Sequence, residues 1–138
     1  MAFVIGIDAS RNRSGGAIAH LIGILTECNV KEHDIKEIHI WSHRSLLDKL
    51  PNVVWLIKHN PISLEMSLSH QLIWQAFSFS KELKLAGCDI LFSTSATSVS
   101  RFKPMVSLSQ DMLCYEPGIM QYFGVSRSRL RLITILFL

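Results

Sequence analysis

With 138 residues, 49% of them hydrophobic and 18% charged, the chain suits one packed domain: it is too apolar for disorder and too short for two full domains. A net charge of +3 with neutral histidines, not gathered into one long run, offers no continuous track for a nucleic-acid backbone and excludes nucleic acid as the leading partner. The densest positive stretch, "SRSRLRL" with Arg127, Arg129 and Arg131, reads as a solvated helix face or as a contact for an anionic membrane surface or acidic ligand.

The apolar run Phe3–Ile7, closed by Asp8, predicts a fully buried parallel strand. After the loop "ASRNRSGG", Ile18, Leu21, Ile22 and Leu25 recur at helical spacing. "IKEIHIW" (35–41) alternates apolar and polar side chains as a second strand, and "RSLLDKL" is a short helix stopped by Pro51. "VVWLIK" (53–58) predicts a third strand. From Ser63 to Gly87 the spacing predicts one long helix, capped by Ser63 and ended by Gly87, with Leu64, Leu68, Leu72, Ala76 and Leu83 as its buried stripe. "CDILFST" (88–94) and "PMVSLSQD" (104–111) follow as fourth and fifth strands, and a last helix begins near Ser126.

Strands alternating with helices in this way predict an α/β, Rossmann-like parallel sheet with helices on both faces. Ligands of such sheets sit at the carboxyl ends of the strands. That rule singles out the loop after the first strand, "HNP" after the third, "STSATS" after the fourth and "SQDM" after the fifth.

Several chemistries are excluded by spacing. The glycines do not form G-x-G-x-x-G after the first strand, and no G-K-[ST] occurs, so neither a dinucleotide fingerprint nor a Walker loop is present. Cys28, Cys88 and Cys114 are dispersed, no H-E-x-x-H occurs, and His39 and His43, though four apart, do not fall on one predicted helix face, so no metal site is expected. There is no G-x-S-x-G nucleophile. The N-terminal apolar stretch is too short for a signal sequence, and no run approaches the roughly 20 apolar residues of a membrane span, so a cytoplasmic protein is expected.

What remains is "SGGA" at a helix start. Free N–H groups there can receive an anion, and Gly15-Gly16 serves either as a ligand loop or as a tight turn. At the end of the fifth strand, Asp111 accepts from a substrate hydroxyl or caps the next turn, and Gln110 can donate to a sugar or phosphate oxygen. His59, beside Asn60 and Pro61 at a strand end, is the histidine best placed for a ligand. Trp41, Trp55 and Trp74 read as helix–sheet packing.

Taken together, "VIGIDASRNRSGGAIAHLIGIL", "IHIWSHRSLLDKLPN", "KELKLAGCDILFST" and "FKPMVSLSQDML" resemble, in order and over essentially the whole chain, the N-terminal domain of retaining family 4 (group 1) glycosyltransferases of the GT-B type. The resemblance implies sugar transfer from a nucleotide-sugar donor to a glycan or glycolipid acceptor in cell-surface polysaccharide biosynthesis, without a metal or other cofactor. It implies a cytoplasmic location that extends to the inner face of the membrane. It places Gly15 and Gly16, with Arg13 and Ser14 beside them, near the donor diphosphate and the acceptor. Many members carry a His-Asp pair where this chain has Gln110-Asp111, so substrate contact carries over and proton shuttling does not. The family's donor-binding C-terminal domain has no counterpart in residues 1–138, so the expectation is a single acceptor-side domain, a partial enzyme inactive in isolation. The alternative is a non-catalytic Rossmann-like module that holds a nucleotide or sugar.

Overall fold

The structure, a computed structural model, describes residues 1–13, 15–95 and 97–108. Five strands, β1 (Phe3–Asp8), β2 (Ile35–Trp41), β3 (Leu56–His59), β4 (Ile90–Ser93) and β5 (Met105–Ser107), form one all-parallel sheet in the order β3-β2-β1-β4-β5. Register is fixed at the centre, where Ile7 lies between Ile40 of β2 and Phe92 of β4. This is the Rossmann-like α/β architecture that the alternation of elements predicts.

Helices cover both faces. On one, Ile18, Leu21 and Leu25 of α1 (Gly16–Glu27) and Leu46 and Leu47 of α2 (Arg44–Leu47) pack on Ile7, Ile38 and Ile40. On the other, Trp74 of α3 (Leu68–Phe77) and Phe79 and Leu83 of α4 (Phe79–Leu85) pack on Val4, Trp41 and Leu91. Each fully buried leucine in these layers contributes about 1.5–3 kcal/mol of transfer free energy. Gly6 of β1 belongs to the second face, where a Cβ would run into Leu83 Cδ2 and lie 3.3 Å from Cys88 Sγ. The missing side chain is what lets α4 sit down on the sheet.

Several expected boundaries move. The third strand starts at Leu56 rather than Val53. Residues 53–55 instead form a turn closed by Leu56 N–H to Val53 O (3.2 Å), which leaves Val54 fully exposed and lets Trp55 O accept from Ile38 N–H of β2 at 2.7 Å. β4 and β5 are shorter than their apolar runs. The "RSLLDKL" helix is one turn, continued to Leu50 by tight turns before Pro51.

The long helix expected from Ser63 is three pieces: a 3₁₀ turn over Ile62–Glu65, then α3, then α4. Met66 is extended and breaks the first junction, so Ser67 rather than Ser63 stands at the N-cap of α3. Beyond the break at Ser78, Phe79 and Leu83 are buried in the core of the second face. The carboxylate of Glu82 accepts from both Trp41 Nε1 (2.8 Å) and Trp74 Nε1 (2.7 Å) and so joins α4, α3 and β2. The predicted stripe holds at its ends, where Leu64 and Leu83 are fully buried, and fails between them: Leu68 is 53% exposed and Leu72 and Ala76 are half-buried, while Gln71, Trp74 and Gln75 are the buried residues of α3. Gly87 does end the segment. Its φ of +73° supports paired bonds from Gly87 N–H to Lys84 O and from Cys88 N–H to Leu83 O, a Schellman closure.

Candidate functional site: a cleft at the switch point of the sheet

The chain leaves β1 towards β2 on one side, while β4 lies on the other, so the loops after β1 and β4 diverge. A crevice at the carboxyl ends of the strands is the geometric result. Here it is a cleft of about 760 Å³. The loop after β1 supplies Arg11, Asn12 and Arg13 to its wall. Thr94, Ser95, Thr97 and Val99 come from the segment after β4, and Leu68, Gln71 and Leu72 from α3.

Asp8, at the end of β1, organises the floor. It is only 3% exposed. One carboxylate oxygen accepts from Ser10 N–H (3.1 Å) and Ser10 Oγ (2.6 Å). The other accepts from Gln75 Nε2 of α3 and from Ser98 Oγ at 3.4 Å. Gln75 Oε1 in turn accepts from Val99 N–H at 3.3 Å. A single carboxylate thus ties together the three walls, and the inward glutamines of α3 are explained: Gln75 meets Asp8, and Gln71 Nε2 donates to Leu64 O at 3.2 Å.

The arginines span the cleft. Arg11 Nη1 donates to Thr97 Oγ1 at 3.0 Å, and Arg13 Nη2 to Leu64 O at 3.0 Å. Both acceptors are neutral, and the two guanidinium groups stand beside the hydroxyls of Thr94, Ser95 and Thr97. Ser95 Oγ and Thr97 Oγ1 are 2.9 Å apart and bond to one another. Such a wall can hold an anion and several hydroxyl groups at once. No aspartate, glutamate, histidine or cysteine is among the described lining residues.

The loop that carries the arginines is anchored through Asn12. Its N–H donates to Ala9 O (3.2 Å), and its carbonyl lies 2.5 Å from His43 Nε2. His43 is buried just after β2, and its other ring nitrogen lies 2.7 Å from Ser45 Oγ. Asn12 Oδ1 is 2.8 Å from Thr94 Oγ1. Beyond the cleft, Glu65 accepts from Arg44 N–H (2.7 Å) and Asn60 Nδ2 (2.8 Å), which holds its carboxyl below the usual range.

Of the residues predicted from sequence, Arg13 lines the cleft. Gly15 and Gly16 lie just past it, exposed at the start of α1, and are not among its lining residues. Gly15 adopts φ +75°, ψ −155°, a conformation open only to glycine, and so acts as the turn that starts the helix. Gly16 has nothing within 4 Å of where its Cβ would be. Ser14, Gln110 and Asp111 lie outside the described residues, as does the helix expected from Ser126.

His59 is not at the cleft. It belongs to β3, stacks on Trp41 with ring centroids 4.3 Å apart, and its Nε2 is 2.8 Å from His39 Nδ1. Burial, then the neighbouring His39, lowers its pKa below 6.5, partly opposed by Glu82. Arg11, Asn12, His43 and Gln75 escaped sequence reasoning, because a lone polar residue in a loop or helix carries no spacing signal. "STSATS" did carry one, and its Thr94, Ser95 and Thr97 line the cleft.

Among the described residues no group of three or more His, Cys, Asp or Glu side chains gathers as a metal site, and no helix is long and apolar enough to cross a membrane. Comparison of the chain with protein-family models, curated proteins and solved structures finds no match.

Proposed function

We propose that the chain is the acceptor-side half of a retaining glycosyltransferase, which transfers a sugar from a nucleotide-sugar donor to a glycan or glycolipid acceptor in cell-surface polysaccharide biosynthesis. The observation that carries this reading is the cleft at the switch point, where Arg11 and Arg13 stand beside Thr94, Ser95 and Thr97. Guanidinium groups suit a diphosphate and hydroxyls suit a sugar. The uncapped first turn of α1, reached through Gly15 and Gly16, adds N–H groups and the positive end of a helix dipole close to where the phosphates would lie. A lipid-borne acceptor would bring the chain to the inner face of the membrane, for which exposed Ile73 and Phe77, the latter under Arg101, are suited.

The second reading is a binding module without turnover. The described cleft wall, two arginines among hydroxyls and carboxamides, suits binding by itself and so favours it. Titration calorimetry with UDP- and GDP-sugars tests the shared premise: binding that falls about tenfold or more in Arg11→Ala or Arg13→Ala supports it, given charge-assisted bonds worth about 1.5–3 kcal/mol each. No binding by the unaltered chain refutes the module, which must hold its ligand by itself. Release of nucleoside diphosphate by the protein from the complete reading frame separates enzyme from module. Gly16→Val should abolish that release without unfolding the chain, since its side chain enters open space; unchanged release would remove the glycine loop from the mechanism.

A further inference from the structure

We propose that His43 is a positioning residue of the cleft: without lining it, the imidazole fixes, through the Asn12 carbonyl, where the guanidinium groups of Arg11 and Arg13 stand. The proposal rests on the reading of the cleft as an anion site and adds the group that sets its geometry.

A carbonyl oxygen only accepts, so the 2.5 Å approach of His43 Nε2 to Asn12 O assigns the ring proton to Nε2. Nδ1 is left to face Ser45 Oγ at 2.7 Å, a hydroxyl that donates to a bare nitrogen and accepts from a protonated one. The bond to Asn12 therefore survives in either state of Nδ1. His43 is only 3% exposed and is not among the lining residues, so it acts through Asn12 rather than by contact with a ligand.

The place of Asn12 in the chain makes this bond consequential. It lies between the two arginines, whose side chains part to different elements: Arg11 to Thr97 Oγ1 after β4, Arg13 to Leu64 O in the 3₁₀ turn. Each guanidinium is thus tethered at its far end by a bond to a neutral oxygen, and the near end depends on the loop backbone. That backbone is tied to the end of β2 at two points. Buried Ser42 Oγ donates to Ala9 O at 2.9 Å, and His43 donates to Asn12 O. Ser42 N–H donates in turn to His59 O of β3 at 3.1 Å, so the anchor belongs to the sheet and not to the loop. Of the two ties, only that of His43 reaches the stretch that carries the cations. Guanidinium forks match phosphate oxygens by direction as well as by charge, so a loop released at Asn12 keeps its charge and loses its aim.

Glutamine and asparagine in place of His43 separate the two ring nitrogens, because their carboxamide nitrogens reach the places of Nε2 and Nδ1 respectively. His43→Gln keeps a donor for Asn12 O and gives up the bond to Ser45, whose exposed hydroxyl turns to water. His43→Asn keeps Ser45 and strands the carbonyl. Inorganic pyrophosphate is the probe, titrated by calorimetry well below the melting temperature of each variant. Affinity should fall about three- to tenfold in His43→Asn, the worth of one neutral hydrogen bond, and should stay within about twofold in His43→Gln. The Nε–H signals of Arg11 and Arg13 in ¹H–¹⁵N spectra should move in His43→Asn before any ligand is added and return in His43→Gln. A role in stability alone would lower the melting temperature and leave both readouts in place. Where a variant does not fold, the unaltered chain decides: its His43 Nε2–H signal should shift on addition of pyrophosphate. Equal affinities in the two variants, arginine signals that stay put, or an Nε2–H that does not respond overturns the proposal, while weaker binding in Arg11→Ala and Arg13→Ala keeps the anion site. Absence of pyrophosphate binding, or binding indifferent to both arginines, overturns the anion site and this proposal together.

Discussion

Replacing Asp8 by asparagine isolates the wiring of the cleft floor, because it changes a single heavy atom. The carboxylate accepts four bonds: Ser10 N–H and Ser10 Oγ on one oxygen, Gln75 Nε2 and Ser98 Oγ on the other. An asparagine can keep its oxygen towards Ser10, but its nitrogen then faces the nitrogen of Gln75. Gln75 can turn over to accept, and Ser98 can do so by rotating its hydroxyl. The glutamine nitrogen is then presented to Val99 N–H, which loses its acceptor. At least one donor is stranded, and the bonds that survive are no longer charge-assisted. One stranded buried donor costs about 1–3 kcal/mol and each bond to a charged acceptor is worth about 1.5–3 kcal/mol, so the expected loss is about 2–4 kcal/mol. Urea denaturation at pH 7 measures it as a lower midpoint with an unchanged slope. Ligand affinity should fall as well, since Gln75 and Ser98 set two of the walls. A loss below about 0.5 kcal/mol, the size of an ordinary surface substitution, would refute the claim that this carboxylate holds the three walls together.

Glu82→Ala should cost about 2–5 kcal/mol by stranding the indole N–H groups of Trp41 and Trp74, and Glu82→Gln about half as much because one acceptor oxygen survives; equal effects in denaturant melts would contradict the shared-acceptor geometry. Gly6→Ala should lose about 1–3 kcal/mol by overpacking against Leu83 and Cys88, whereas Gly16→Ala, whose Cβ meets nothing within 4 Å, should be neutral or stabilising; a reversed order would show that α4 is not seated on β1 as described. His59 has a pKa below 6.5 in the folded chain, so the unfolded chain takes up its proton first on acidification. Its contribution to stability is therefore complete above about pH 6.5 and is lost as pH falls through that value towards the folded pKa. Melting temperature should drop across this window, and His59→Gln should flatten the dependence; an unchanged profile in the variant would assign the acid sensitivity elsewhere.

Periodicity alone determined the class of this protein. Apolar β-branched runs at 3–7, 35–41 and 88–94, separated by a helical pattern after Gly16, can be buried only as a parallel sheet between helices, and Asp8 and "STSATS" mark where its carboxyl ends open. Gly87 was legible as a helix end because a positive φ is a local property of the backbone. The segment from Ser63 to Gly87 was not, because its leucine spacing fits a helix face while the actual burial answers to distant polar groups: Gln71 to Leu64 O, Gln75 to Asp8, Trp74 to Glu82. The same reason hid the site. Arg13 could be named from its place beside the glycines, but Asn12, His43 and Thr94 come from three separate loops, and nothing in their spacing says that they meet. Local sequence sets which residues can pair with their neighbours in the chain, whereas only the strand order, which places β4 beside β1, decides which loops face each other across a cleft.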